Sequence, residues 1–175
     1  YERIGIVTFD YNPDYDDVLQ DLRLARLWEK HMHHVNVYEF FMQRHDVKRH
    51  DVKRIDKDDH DVHHVFDRFG RLRHLKLFDR VTKKLARDYF FAPGGSCFFE
   101  RHFERETGKT LKCIAYHPNG EVAKTFNKVK DYRNFFIQSI IEKHDEVVLL
   151  SDSRFSDRVL FAVDHPNVAK VALLH

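Results

Sequence analysis

Long apolar runs are missing from this sequence. The nearest approach, Val168 to Leu174, is broken by Lys170 and falls far short of the ~20 residues that cross a bilayer. No spanning helix is expected, and no basic-then-apolar leader of the secretory type is visible. Cysteine is scarce as well: Cys97 and Cys113 are the only two, which excludes a disulfide framework and suits a reducing compartment. Neither sign of charge dominates, because 30 Lys and Arg face 28 Asp and Glu for a net charge of +2. Such a balance supplies no field to capture nucleic acid, which is not an expected partner. Apart from Gly5 in the first strand-like run, the glycines sit in hairpin-turn contexts and not in a strand-to-helix phosphate loop, so nucleotide binding by this chain has little support. The 175 residues open on Tyr-Glu-Arg and close on a strand-like segment before His175. The expectation is a piece of a longer protein, large enough to bury a core without staples.

Arg3 to Phe9 is short, β-branched and apolar, and reads as a strand. Asn12-Pro13-Asp14 breaks it and offers capping oxygens for a helix over Asp14 to Lys30, whose Val18, Leu19, Leu22, Ala25, Leu27 and Trp28 form a packing stripe. Val35 to Phe41 reads as a second strand. Residues 44–61 are a charged connector containing a tandem repeat, His45 to Arg49 and His50 to Arg54.

From Asp61 the texture becomes a hairpin rhythm. Turn signals at Phe69-Gly70, Asp79 to Lys83, Ala92 to Gly95, Thr107-Gly108 and Pro118 to Gly120 separate six strands: Val62 to Asp67, Arg71 to Phe78, Lys84 to Phe91, Ser96 to Glu104, Lys109 to Tyr116 and Glu121 to Asn127. Alternation sorts Arg87, Tyr89 and Phe91 from Asp88 and Phe90, and sorts Phe99, Arg101 and Phe103 from Glu100 and His102. Neither face is cleanly apolar, which predicts a single-layer sheet offered outward to a partner.

Beyond Asp131, a possible cap, Phe135, Phe136, Ile140 and Ile141 mark a helix. The strand Glu146 to Leu150, a helix from Ser156 to Val163 and the strand Val168 to Leu174 then form a strand–helix–strand unit of a parallel sheet. Asp152 and His175 would stand at carboxyl ends of those strands, the edge where open α/β sheets bind ligands. The chain is therefore α/β with an antiparallel β-meander inserted.

The segment Tyr11-Asn-Pro-Asp-Tyr15 with its helix, Val37-Tyr-Glu-Phe-Phe41, the glycine-turn meander, and the runs Val147 to Asp152 and Val168 to His175 resemble a group of bacterial retaining glycosyltransferases. The group comprises the accessory-secretion adhesin N-acetylglucosaminyltransferases and the poly(ribitol phosphate) α-N-acetylglucosaminyltransferases. The resemblance implies a partial Rossmann-like amino-terminal half of a GT-B fold. Residues 1–45 and 131–175 would be its two parts, and 46–130 the inserted meander domain. It further implies an acceptor-binding or assembly portion of an enzyme that moves N-acetylglucosamine from a UDP-sugar to a glycan, a teichoic-acid-like polymer or a Ser/Thr-rich protein. The UDP-sugar would be held by a carboxyl-terminal domain that this chain lacks, so the fragment alone is expected to be inactive and to need no cofactor. The family's two-Glu donor motif and Gly-rich loop have no counterpart here. The implied location is the cytoplasm, at most peripheral to the membrane. Two rival readings are a non-catalytic acceptor-recognising partner subunit and a homo- or hetero-oligomerisation module acting through the meander.

His175 matches the family's His facing the interdomain cleft, where it would share in acid–base or leaving-group chemistry; the alternative is a merely terminal residue. Asp152 either orients an acceptor hydroxyl or caps the following helix. Arg87, Tyr89, Phe91, Phe99, Arg101 and Phe103 would form an acceptor-binding surface, with aromatics for sugar rings or peptide and Arg for phosphate. The alternative packs that face on the α/β unit. No metal site is expected: His63 and His64 point to opposite faces, and Asp56, Asp58, Asp59 and Asp61 lack the offsets of a calcium loop.

Overall fold

The run Ile-Gly-Ile-Val-Thr forms strand β1 (Ile4–Thr8), as β-branched residues do on a pleated surface. The computed structural model describes residues 4–43, 59–151 and 154–172. The tandem repeat, Asp152 and His175 lie outside the described residues. Helix α1 (Tyr15–Leu24), strand β2 (Met32–Asn36) and helix α2 (Val37–Met42) follow β1. β1 and β2 pair in parallel, from Ile4 opposite Met32 to Thr8 opposite Asn36. α1 starts where the turn predicted it, since Asn12 Oδ1 accepts from the Asp14 N–H at 2.9 Å. It ends at Leu24, well before Lys30, because Arg26 turns left-handed (φ 58°) and redirects the chain into β2. The packing stripe is corrected too: no α1 residue is buried, and Val18 is 42% exposed.

The strand expected over Val35 to Phe41 is half wrong. Asn36 ends β2 and caps α2, its Oδ1 accepting from Tyr38 N at 2.8 Å and Glu39 N at 3.3 Å. That cap satisfies orphan donors of the first helical turn and fixes the change of direction. A short apolar run does not distinguish strand from helix by its pattern.

Six strands then make one antiparallel meander in sequential order: β3 (His60–Phe66), β4 (Leu72–Asp79), β5 (Leu85–Phe91), β6 (Cys97–Phe103), β7 (Thr110–Tyr116) and β8 (Val122–Phe126). All six match the predicted strands to within about two residues. At the β3–β4 turn, Gly70 N donates to Asp67 O and Asp67 N to Arg71 O, with Gly70 left-handed at φ 73°. This is the type I turn with a glycine bulge that glycine permits without steric cost. Each of the five ladders also carries a register shift, which strengthens local twist.

The shifts decide which side chains share a face. One face carries the cross-strand row His74, Phe90, Phe99, Ala115, Lys124 and the row Lys76, Asp88, Arg101, Cys113, Phe126. The other carries Leu75, Tyr89, Glu100, Ile114, Thr125 and then Leu77, Arg87, His102, Lys112. On the first face Tyr38 lies on Phe90 with centroids 4.5 Å apart, Tyr11 meets Phe90 at 4.9 Å, and Phe41 stacks on Phe99 at 4.9 Å. Phe90 and Phe99 are fully buried there. On the second face Leu75, Leu77, Tyr89 and Phe91 cluster with Val62, Leu72 and Cys97. The single-layer expectation is thereby corrected for the first face, which α2 and the loop after β1 cover.

The chain divides into two compact units, Tyr1–Asn127 and Lys128–His175. The second holds α3 (Val129–Ile141), β9 (Val147–Ser151), α4 (Arg154–Phe161) and β10 (Val168–Ala172). β9 and β10 are parallel, Val147 opposite Val168, which is the strand–helix–strand unit read from the sequence. Tyr132, Phe136, Ile137 and Ile141 are the buried residues of α3, a helical spacing. Asp131 lies inside the first turn, and Lys128 takes the capping position. No described helix is long and apolar enough to cross a membrane.

Candidate functional site

Thr8 and Asn36 are the last residues of β1 and β2, so the loop after β1 and the start of α2 gather at the carboxyl ends of a parallel pair. That edge of α/β sheets recurrently binds ligands. Here it opens into a cleft of about 150 Å³ bounded by Tyr11 to Asp17, by Asn36, Tyr38, Glu39 and Met42, and by the β3–β4 hairpin from Asp67 to Arg73. All three walls belong to the first unit.

The hairpin wall is rigid. Asp67 Oδ1 accepts from the Phe69 and Arg71 N–H groups at 3.0 Å each, and Oδ2 from Arg71 Nε at 2.8 Å and Arg73 Nη1 at 3.3 Å. Burial pushes the Asp67 carboxyl up, but the bonds from Arg71, Phe69 and Arg73 outweigh it and hold it at about 2. Arg73 also donates to Phe91 O at 3.0 Å, and Tyr11 Oη donates to Arg73 O at 3.1 Å. Burial raises the Tyr11 hydroxyl to about 12, so it remains a donor at neutral pH. Arg68 pairs with Asp17 across the cleft mouth. The exposed Phe69 ring lies 4.7 Å from the Arg68 guanidinium and 4.9 Å from that of Arg71.

Behind the opposite wall, against Tyr15 and Glu39, lies a buried imidazole. His34 Nε2 lies 2.8 Å from Thr8 Oγ1, and Asn36 Nδ2 donates to the same oxygen at 2.8 Å and to Asp10 O at 2.8 Å. Tyr15 packs on the imidazole with centroids 4.4 Å apart. The His34 side chain is 5% exposed, with Nδ1 facing Glu39 Oε2 at 3.7 Å, beyond hydrogen-bond reach. Burial lowers the His34 pKa, with Asp10 and Asp16 pulling the other way. Burial raises that of Glu39, Asp16 adds to the rise, and Arg73 opposes it. A buried imidazole behind a cleft-lining carboxyl, each shifted by burial, is the pattern of a functional site.

The acceptor surface expected from the sequence does not form as one face. Arg87, Tyr89 and Phe91 lie on the second face, whereas Phe99, Arg101 and Phe103 lie on the first. The hairpin closes with Ala92 N donating to Ser96 O; continued without a shift it would set Arg87 opposite Arg101. The irregularity between Phe90 and Phe91 moves the register by one residue, and one residue exchanges faces. Tyr89, Phe91 and Phe99 are buried. Arg101 is held by Asp88, its Nε 3.1 Å from Oδ1. Burial raises the Asp88 carboxyl, yet the His74 imidazole and the bonded Arg101 guanidinium beside it leave it below the ordinary value. His74 Nε2 stands 3.5 Å from Asp88 Oδ2 without hydrogen-bond alignment, so that contact is electrostatic. Arg87 is exposed and Phe103 half-buried. On the second face His102 Nε2 meets Glu100 Oε1 at 2.8 Å, and burial pushes the Cys97 thiol up to about 12, which leaves it unreactive.

His34 and Glu39 were not singled out from the sequence. The available signal was positional: both flank the end of a strand that follows a strand–helix unit, and strand ends of that kind host ligands.

No family model matches the sequence, and no curated protein does. Solved structures match. Over 98% of its length the chain superposes on 43% of a point mutant of S. aureus TarM in complex with Fondaparinux, alpha-GlcNAc-glycerol and UDP, with TM-score 0.76 and 16% identity. A second TarM crystal structure gives TM-score 0.70 at 17% identity, again over 98% of this chain and 43% of that one. A GtfA/B complex bound to UDP and GlcNAc is more distant, at TM-score 0.46 and 14% identity over 98% of this chain and 50% of that one. TarM is a poly-ribitol phosphate α-GlcNAc transferase. The resemblance read from the sequence therefore holds at the level of fold, and the chain spans less than half the length of the TarM structures it matches.

Proposed function

We propose that this chain is the acceptor-side portion of a glycosyltransferase that transfers N-acetylglucosamine from a UDP-sugar to a cell-wall polymer or protein. In that reading the parallel strand pairs belong to the Rossmann-like amino-terminal half of a GT-B fold, and the meander is its insertion. The observation that carries the reading is the likeness of nearly the whole chain to TarM, together with a cleft at the carboxyl ends of β1 and β2. The donor sugar is assigned to a domain outside this chain, so the isolated chain binds acceptor without turning over. In this reading Asp152 orients an acceptor hydroxyl and His175 shares in acid–base or leaving-group chemistry, and the exposed Arg87 is the member of the meander set that meets an acceptor phosphate.

Titration of the full chain with a ribitol-phosphate oligomer and with a Ser-rich peptide tests the reading. Saturable binding of one of them is expected, and binding of neither overturns it. Assembly through the sheet is a second reading, favoured by the two edge strands β3 and β8 and by the exposed Phe66 and Val122 on them. Light scattering that finds only a monomer at high concentration removes it.

A further inference from the structure

The cleft beside α2 has a composition that selects among ligand chemistries. Five carboxylates line it, Asp14, Asp16, Asp17, Glu39 and Asp67, against the three guanidiniums of Arg68, Arg71 and Arg73. Each guanidinium is already engaged, Arg68 by Asp17 and the other two by Asp67. A phosphate entering here would meet an excess of negative charge and would have to break an existing pair to find a cation.

Among the described residues Asp14, Asp17 and Asp67 accept hydrogen bonds and Asp16 and Glu39 do not; of these two only Glu39 is half-buried. The nearest charged partner of the Glu39 carboxylate is His34 Nδ1 at 3.7 Å, itself a buried nitrogen with no hydrogen-bond partner. Thr8 Oγ1 bonds that imidazole at Nε2, Asn36 donates to the same hydroxyl oxygen, and Tyr15 packs on the ring. Glu39 is thus backed by a rigid polar wall while its own oxygens retain acceptor capacity toward the cleft. Carboxylate oxygens accept from hydroxyl donors, and the rings of Tyr11 and Tyr15 present aromatic surface beside them.

We infer that this cleft is a subsite for a neutral polyhydroxylated unit, a polyol or a pyranose, whose hydroxyls are accepted by Glu39, and that it is not a phosphate subsite. The biological identity of that unit as part of an acceptor rests on the proposed function; the hydroxyl chemistry does not.

The test is an amide-resolved NMR titration of the full chain with free ribitol and, separately, with inorganic phosphate. Ribitol is expected to shift the amides of Tyr15, Glu39 and Phe69, and phosphate is expected to leave them in place. Glu39→Gln keeps the side-chain volume and should weaken ribitol by about tenfold, the loss of one charge-assisted hydrogen bond. Should that variant not fold, Asp16→Asn on an exposed side chain serves instead, with a several-fold weakening expected. Phosphate shifting the same amides, no ribitol response, or unchanged ribitol affinity in the folded variant overturns the inference. Oligomer binding that persists without a ribitol response at the cleft removes the subsite and leaves the acceptor-side reading standing; a ribitol response with no binding of oligomer or peptide does the reverse.

Discussion

The meander and the parallel strand pairs handle apolar surface in opposite ways. In the meander Leu75, Leu77, Phe90, Phe91, Phe98 and Phe99 are all at most 2% exposed, and each inner strand has two hydrogen-bonded neighbours. In the parallel pairs Ile4, Ile6, Val148, Leu150 and Val171 are 40% to 69% exposed, and each pair is a sheet of two strands. A two-stranded sheet is marginal without further strands or a helix against it. The meander therefore buries its apolar surface between its own strands and beneath Tyr11, Tyr38 and Phe41, whereas the parallel pairs depend on more cover than their own strands provide. That contrast fits a chain that spans 43% of the TarM fold.

The sharpest way to break the comparison is at the meander's aromatic centre. Phe90→Ala removes a fully buried ring that meets Tyr11, Tyr38 and Phe99, and a loss of about 3–5 kcal/mol is expected in denaturant unfolding. Asp88→Asn removes the buried carboxylate that Arg101 binds, for a loss of about 3 kcal/mol. If either variant unfolds at the wild-type midpoint, the meander is not the stable part.

Acid sharpens the same contrast through residues of the first unit. His34 and His74 are held below 6.5 chiefly by burial, so below that pH the unfolded chain binds protons that the folded chain refuses, and stability falls. Asp67 is held at about 2 against an ordinary 3.8. Its contribution is complete above 3.8 and is lost as pH falls toward 2. Glu39 has the opposite sign, because its raised carboxyl takes up a proton earlier when folded and offsets part of the loss just above 4.5. Unfolding midpoints followed from pH 7 to 3 should decline in two stages; a flat profile contradicts the assigned burial of the two imidazoles.

Turn chemistry comes next in size. Gly95 adopts φ 87° with no atom within 4 Å of an added Cβ, so Gly95→Ala should cost only the backbone term, about 1–2 kcal/mol. A larger cost would mean that the Ala92–Ser96 hairpin also fixes the register shift beside it.

That register shift marks the limit of what the sequence discloses. The six meander strands were legible because Gly70, Gly95, Gly108 and Gly120 punctuate them at hairpin spacing. The grouping of Arg87 with Arg101 was not, because one irregular residue near Phe90 exchanges the faces and leaves no compositional trace. α2 was misread because six apolar and aromatic residues carry too few turns of periodicity, and the deciding contact is a side-chain cap from Asn36. The cleft was hidden for a different reason: its walls come from residues 11–17, 36–42 and 67–73, which only the tertiary fold brings together. Glu39 looked like one polar position in an apolar strand.

The smallest effect belongs to the parallel pairs. Leu150 is 62% exposed on β9, so Leu150→Thr removes little buried area while placing a β-branched residue on the pleat. Its unfolding midpoint should move by no more than about 0.5 kcal/mol, and the solubility of the isolated chain should rise because an exposed apolar side chain is gone. Leu75→Ala on β4 is the matched control, with Leu75 2% exposed and an expected cost of about 2–5 kcal/mol. Equal costs at the two leucines would mean that β9 is covered in solution by a contact as extensive as the one inside the meander. The division of labour between the two kinds of sheet would then disappear.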